Sequence, residues 1–267
     1  MAKVIIQNLE LIVSNACNLN CEHCYNANHA NITMNEEVID TVFSQIKGIA
    51  CLNFGSGDPT LAIDTLRYVF ECIKKYHVSV DNIVFVTNGT IYSEEFLNLL
   101  DEIDVYLKKY CHPESSVILD ISYDYYHLKE IYKLGLFNKF IRNVYRYKKT
   151  PFFRCFRRIG NKLFREGNAV NLGVDITVPL RPPEVIMTYE ENDIPYIGPL
   201  VTIDIDGTIT ESNASFNNRK EKYNYGNIME STILEILCGK RRIRVLRNYE
   251  FFNEMNRITN EYINYDE

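Results

Sequence analysis

The stretch LELIVSNACNLNCEHCYNANHANITMNEEVIDTVFSQIKGIACLNFGSGD, residues 9–58, decides how the chain reads. It opens on a short β-branched run, LELIVSNA (9–16), that predicts a strand. Cys17, Cys21 and Cys24 follow at once. MNEEVIDTVFSQIKGI (34–49) carries apolar residues near helical spacing and glutamates in its first turn, which predicts an amphipathic helix. ACLNFG (50–55) predicts a second strand, and it runs into the glycine-rich turn GSGDP. A strand, a helix and a second strand in this order make a βα unit, which pairs its strands in parallel.

The rest of the chain repeats that order. Helices are expected over 61–76, 93–110 (with Ser93 as its cap) and 127–137, and strands over 82–89, 116–123, 171–180 and 199–207. A last helix is expected over STILEILCGKRRIRVL, 231–246. Six strands are too few for an eight-fold barrel, so the expected fold is α/β: a partial (βα)6 TIM-like barrel with a short α/β C-terminal extension. In such barrels the working face lies where the strands end. The cysteine cluster, GSGDP, the TNG turn (87–89), the SYD segment (122–124) and the DGT turn (206–208) each follow a strand end.

Composition excludes several classes. With 46% hydrophobic and 24% charged residues in 267, the chain can bury a large core without disulfide staples and is not a disordered polymer. No run of 18 apolar residues is present and the N-terminus lacks a signal-peptide pattern, so a cytoplasmic protein without a membrane partner is expected. The net charge of −6 argues against wholesale coating of nucleic acid, while leaving room for a local anion site.

Three of the eight cysteines fall within residues 17–24; Cys51, Cys72, Cys111, Cys155 and Cys238 are scattered and read as small core hydrophobes. Clustered thiols in a reducing compartment point to metal. Structural zinc wants four ligands, and the nearest further donors, His23 and His29, have no familiar finger spacing. Three thiolates on one short loop suit a 4Fe–4S cluster with one iron left open. On spacing alone both metals stand, as does an ordinary βα turn for GSGDP, with Pro59 in the first turn of the next helix.

Together, these motifs resemble the radical S-adenosylmethionine (radical SAM) superfamily. C-x-x-x-C-x-x-C at 17–24 resembles its cluster motif. GSGDP resembles its second-strand GGEP motif, with Ser for one Gly and Asp for Glu. VFVTNGTI (84–91) and ISYDYYH (121–127) are similar to segments of its SPASM/twitch-type peptide-modifying branch. IDIDGTITESN and YGNIMESTILEIL, within 203–237, are similar to the opening of that branch's C-terminal region.

The resemblance implies an enzyme, an oxidoreductase with a 4Fe–4S cluster and S-adenosyl-L-methionine as cofactors. Cys17, Cys21 and Cys24 would ligate three irons, and the amino and carboxylate groups of the methionine would hold the fourth. His23 would lie near the adenine. Gly55, Ser56, Gly57 and Asp58 would meet the methionine amino group, chiefly through backbone. Asn88, Ser122 and Asp124 would contact ribose or carboxylate. An electron from a one-electron reductant such as flavodoxin or ferredoxin would split the sulfonium, and the resulting 5′-deoxyadenosyl radical would take a hydrogen atom from a substrate. The cofactor carries that chemistry and the protein positions it.

Two features depart from the branch. Only Cys238 lies beyond residue 155, so no auxiliary cluster can be assembled there. Residues 1–180 would then be the core barrel and 181–267 the last barrel strand with a twitch-like extension free of a second cluster. The segment RNVYRYKKTPFFRCFRRIGNKLFR (142–165) interrupts the βα pattern with nine Arg and Lys, six aromatics and no acid. It reads as a solvated face, as an anion site using Arg154, Arg157 and Arg158 as forked donors, or as a single-strand platform. The substrate stays open between a peptide and a nucleotide or other anionic small molecule. From a different class, a non-catalytic zinc- or cluster-binding module also fits the cysteines.

Overall fold

The computed structural model describes residues 3–26, 29–157, 163–165, 167–173, 175, 177–178, 185–189, 193–210, 224–238 and 243–263. Five strands lie side by side in chain order: β1 (Val4–Leu11), β2 (Ile46–Phe54), β3 (Ser79–Thr87), β4 (Ser116–Ser122) and β5 (Phe153–Arg157), all parallel. The helices between them are α1 (Glu36–Ser44), α2 (Ile63–Tyr76), α3 (Glu94–Tyr110), α4 (Tyr125–Lys133) and α5 (Phe137–Tyr147). A two-stranded pair, β6 (Leu163–Phe164) and β7 (Thr177–Val178), follows. Then come β8 (Val185–Tyr189), β9 (Pro195–Gly198), β10 (Val201–Ile203), β11 (Thr208–Thr210) and β12 (Asn224–Asn227), then α6 (Ile233–Leu237), β13 (Ile243–Val245) and α7 (Asn248–Ile263).

The sheet is open. β9 and β10 both run parallel to β1 on the side away from β2, so β1 is central and β5 is the outer strand of the described sheet. β11 and β12 extend it antiparallel beyond β10, and β8 and β13 extend it beyond β9. The sixth parallel strand thus sits beside the first. The fold is the expected mixed α/β architecture with an unclosed barrel.

Helices form where caps and periodicity agree. Asn35 accepts from Glu37 N (2.9 Å) to start α1, Ser93 accepts from Phe96 N (3.1 Å) to start α3, and Asp124 accepts from Tyr126 N and His127 N to start α4. Their apolar faces close over one side of the strands. Leu9, Leu11, Leu52, Phe85, Leu119 and Ile121 are fully buried against Phe43, Phe70, Phe96 and Phe140. Burial of this kind stabilises by about 25 cal/mol per Å² of apolar surface and supplies most of the drive to fold. The opposite face is polar. Glu10 accepts from Thr202 Oγ1 (2.9 Å), Ser116 donates to Asn82 Oδ1 (2.7 Å), and Asp120 pairs with Arg154.

Four sequence expectations need correction. Residues 46–49 belong to β2, because a strand paired on both edges favours the apolar run IKGIA over one more helical turn. The described part of the segment 142–165 continues the βα pattern, finishing α5 and supplying β5, while residues 158–162 lie outside the described residues. The helix expected over 127–137 ends at Lys133, where Gly135 takes φ +68°, and α5 starts anew at Phe137. The helix expected over 231–246 stops at Leu237, where Cys238 is already extended, and residues 243–245 pair with β8 instead. Of the strand expected over 171–180, the described residues form strand only at 177–178 (β7); residues 174, 176, 179 and 180, and residues 239–242 of the basic stretch GKRRIRVLR (239–247), lie outside the described residues. Among the described residues no helix is long and apolar enough to cross a membrane.

Candidate functional site

The three clustered cysteines leave the C-terminal end of β1 on one loop. Its base is closed by Met34 N donating to Val13 O (2.8 Å), Asn15 N to Ile32 O (3.2 Å) and Ile32 N to Asn15 Oδ1 (3.0 Å). Cys21 is buried and Cys17 and Cys24 half-buried. Leu19 N donates to Cys17 Sγ at 3.5 Å, and Cys24 N to Cys21 O at 3.1 Å. Burial, with the nearby charge of Asp58, pushes the Cys17 thiol up to about 12. Burial raises Cys24 to about 11, and it raises Cys21 as well. The loop gathers soft donors that stay protonated until a cation displaces their protons, as metal-binding thiols do.

GSGDP clasps this loop from β2. Asp58 N donates to Ala16 O at 2.8 Å. A side chain at Gly57 would meet Ala16 O at 2.5 Å and Ser14 O at 2.8 Å, so only glycine permits the approach. A side chain at Gly55 would run into Glu10. Ser56 takes φ +85°, a left-handed conformation that glycine would adopt at lower cost, and its carbonyl accepts from Asn26 Nδ2 (3.4 Å).

The Asp58 carboxylate is a strap. Oδ1 accepts from Thr60 N (3.0 Å) and Thr60 Oγ1 (2.6 Å), and Oδ2 from Thr87 Oγ1 (2.9 Å) and Asn88 N (2.8 Å). It therefore ties the second-strand loop to the third-strand turn. Asn88 continues the chain of contacts: its Nδ2 donates to Asn18 Oδ1 (2.9 Å) and lies 3.7 Å from Cys17 Sγ, while its Oδ1 accepts from Thr90. The TNG turn thus reaches the cysteine loop through Asn88.

Beyond β4, Ser122 ends its strand opposite Arg157. Asp124 caps α4 through Oδ1, and its Oδ2 accepts from His127 Nδ1 in a very short contact. Burial would raise the Asp124 carboxyl, but the hydrogen bond and charge of His127 outweigh it and hold the group below the usual range. His23 Nε2 lies 3.8 Å from Asp124, and the His23 ring stacks on Tyr126 (4.9 Å) and meets His127 edge-on (4.8 Å). Burial first, then the neighbouring His127, lower His23 to about 4, and Asp124 opposes them. His23 Nδ1 is buried without a hydrogen-bond partner.

The structure therefore brings Cys17, Cys21, Cys24, His23, Gly55, Ser56, Gly57, Asp58, Asn88 and Asp124 to one end of the sheet. Of the three arginines, Arg154 is committed: its guanidinium forks onto the buried Asp120, which leaves little of its charge for a ligand. Arg157 is exposed at the end of β5. Arg158 lies outside the described residues.

One clamp escaped the sequence reading. Asn168 donates N–H to Cys24 O (2.9 Å) and Nδ2 to Cys21 O (3.2 Å), and Gly167, at φ +56°, packs on the same backbone. Nothing local in GNAVN marks such a contact. His29 Nε2 lies 3.3 Å from Cys24 Sγ. A cavity of about 400 Å³ opens beside these groups, lined by Cys17, Asn18, Leu19, Asn20, His29 and Glu130 among others.

The donor set fits an iron–sulfur cluster: three thiols on one closed loop, with an open cavity at Cys17. The family model described as "Radical SAM superfamily" matches residues 11–159, more than half of the chain. No curated protein sequence matches. Among solved structures, native anSMEcpe with bound AdoMet is similar at TM-score 0.49 and 16% identity, over 92% of this chain and 83% of that one. SuiB of Streptococcus suis bound to precursor peptide SuiA is similar at TM-score 0.43 and 11% identity, over 88% and 65%.

Proposed function

We propose, for a chain that belongs to the radical SAM superfamily, that Cys17, Cys21 and Cys24 hold the 4Fe–4S cluster by which this enzyme family uses S-adenosylmethionine. When bound, the two cofactors supply a one-electron reductive cleavage of the sulfonium, and with it the means to take a hydrogen atom from a substrate. The observation that carries the assignment is the clasp. The GSGDP loop, the Thr87–Gly89 turn and the cysteine loop are fixed to one another through Asp58, Asn88 and Ala16.

Each residue then has a task. Leu19 N–H and Asn88 Nδ2 donate toward the Cys17 sulfur, which lowers its charge density and tunes what it ligates. Gly55, Ser56 and Gly57 offer backbone groups at the lip of the site, with Asp58 holding them in place. Asn88 and Ser122 face the same end of the sheet as contacts for the cofactor. Asp124 is committed to α4 and His127, so it positions those groups. Asn168 and Gly167 brace the loop from behind and keep water from its backbone.

We propose a peptide as the substrate class. The resemblance of VFVTNGTI (84–91) and ISYDYYH (121–127) to segments of the peptide-modifying branch supports it. An anionic small molecule is the second reading, favoured by the exposed Arg157. We further propose residues 1–180 as the catalytic core and 181–267 as the last strand and extension, with a flavodoxin- or ferredoxin-like electron donor and a cytoplasmic setting. Deuterium carried from a labelled candidate peptide into 5′-deoxyadenosine would support the peptide reading. Transfer only from an anionic small molecule would replace it.

A further inference from the structure

We propose that Cys21, His23 and His127 form a second metal site, taking one divalent transition-metal ion such as zinc when iron is absent, with Asp124 orienting His127. The inference rests on Cys21 being a cluster ligand only for its consequence: both metals claim the same sulfur, so each excludes the other.

The geometry carries it. The Cys21 sulfur and one ring nitrogen from each histidine all lie within 4.8 Å of one another, with Cys21 and His23 buried and His127 half-buried. A tetrahedral zinc ion with Zn–N near 2.0–2.1 Å and Zn–S near 2.3 Å spaces its ligands by about 3.5 Å. Small rotamer adjustments therefore close the site. The second observation is the tautomer. An ionised carboxylate only accepts, so the contact between Asp124 Oδ2 and His127 Nδ1 places the proton on Nδ1 and leaves the lone pair on Nε2. A carboxylate behind an imidazole is the usual support of a metal-ligating histidine. The third is His23, 8% exposed, whose Nδ1 is buried with no hydrogen-bond partner. An unpaired buried polar atom is costly, and a bound ion would satisfy it.

One thiolate with two imidazoles suits zinc, cobalt or copper rather than magnesium or calcium, which prefer oxygen. Solvent supplies the fourth position. The ion displaces the Cys21 proton and forms one S–metal and two N–metal bonds, with no change in oxidation state. His127 comes from α4, far along the chain from the cysteine loop, so ligand spacing could not have revealed it.

The test uses the full chain, stripped of metal and kept anaerobic, titrated with Co²⁺ as the optical probe and with Zn²⁺ in competition. The expected result is one Co²⁺ per chain with tetrahedral ligand-field bands and a charge-transfer band from a single thiolate. His127→Gln and His23→Gln should each weaken binding at least tenfold, and Asp124→Asn roughly 10–100-fold. Zinc loading should block iron uptake by the wild type and much less so by His127→Gln, whose iron uptake without zinc also reports that it is folded. The proposal is overturned if the chain binds no Co²⁺. It is equally overturned if both histidine variants bind as wild type while Cys17→Ala/Cys24→Ala loses binding, because the cysteines alone would then hold the ion. Iron stoichiometry after stripping is read separately. A chain that binds Co²⁺ through the histidines yet never takes four irons defeats the cluster assignment and leaves this site standing.

Discussion

Replacing Asp58 by asparagine separates a strap from a ligand contact. The carboxylate is 2% exposed and both of its oxygens accept from a backbone N–H: Oδ1 from Thr60 and Oδ2 from Asn88. An amide has one oxygen. Whichever way the new side chain turns in Asp58→Asn, its NH₂ faces either Thr60 N–H or Asn88 N–H, and one buried donor loses its partner. That loss costs about 1–3 kcal/mol, and the remaining bonds weaken further because they no longer end on a charge. The expected total is about 3 kcal/mol. For a chain of this size, at roughly 2–4 °C per kcal/mol, the melting temperature should fall by about 6–12 °C. The assay is thermal or urea unfolding of the metal-free protein, followed by S-adenosylmethionine binding to the reconstituted one. Binding should weaken together with stability, since Asn88 is displaced with the strap. Unchanged stability with binding abolished would refute the reasoning, because the carboxylate would then be reading the ligand directly.

Further outcomes follow from the same structure. Cys21→Ala should abolish iron uptake and formation of 5′-deoxyadenosine, whereas Cys72→Ala, buried in the helix layer, should leave both intact; equal loss would count against the ligand assignment. Arg154→Ala strands the buried Asp120, with only the Cys155 thiol (3.3 Å) beside it, and should cost about 2–3 kcal/mol, less than a fully buried pair because Arg154 is half exposed. Adding Asp120→Asn should recover at least half of that in denaturant unfolding, and no recovery would remove charge as the cause. Arg257, joined by Arg244, holds the Glu254 carboxyl down to about 2 against slight desolvation. The folded value is depressed, so this stabilisation is complete above the unfolded value near 4.3 and fades as pH falls toward 2. Glu254→Gln should therefore lower stability by about 0.5–1 kcal/mol at pH 7, a screened value because both arginines are half exposed. That gap should narrow between about pH 4.5 and 3; a gap independent of pH would show that the pair does not act through charge.

Most of the parallel sheet was legible because β1 to β4 are largely apolar runs buried on the helix side, and each of α1 to α3 repeats its apolar face at helical spacing. The cap residue Ser93 fixed the start of α3 locally, whereas Asn35, expected inside the first helix, is its cap. Residues 46–49 misled because IKGIA continues the helical spacing of α1, and only pairing with β1 and β3 decides against it. β5 was hidden by its own composition: FRCFR is charged and largely exposed, as befits an outer strand, and it resembles a surface loop more than a core element. At the site, the cysteines and GSGDP were legible because their chemistry is compressed into short spacings. His127 and Asn168 were not, since the contacts that give them meaning cross from α4 and from the turn at 167–171, and no local pattern encodes a contact made by the fold.

The most direct measurement is electron paramagnetic resonance of the anaerobically reconstituted, reduced protein, with and without S-adenosylmethionine. The expected result is about four irons per chain and a 4Fe–4S signal whose shape changes when the cofactor binds, because one iron has no protein ligand. A signal indifferent to the cofactor, or a site filled by a single zinc ion under iron-replete conditions, would contradict it.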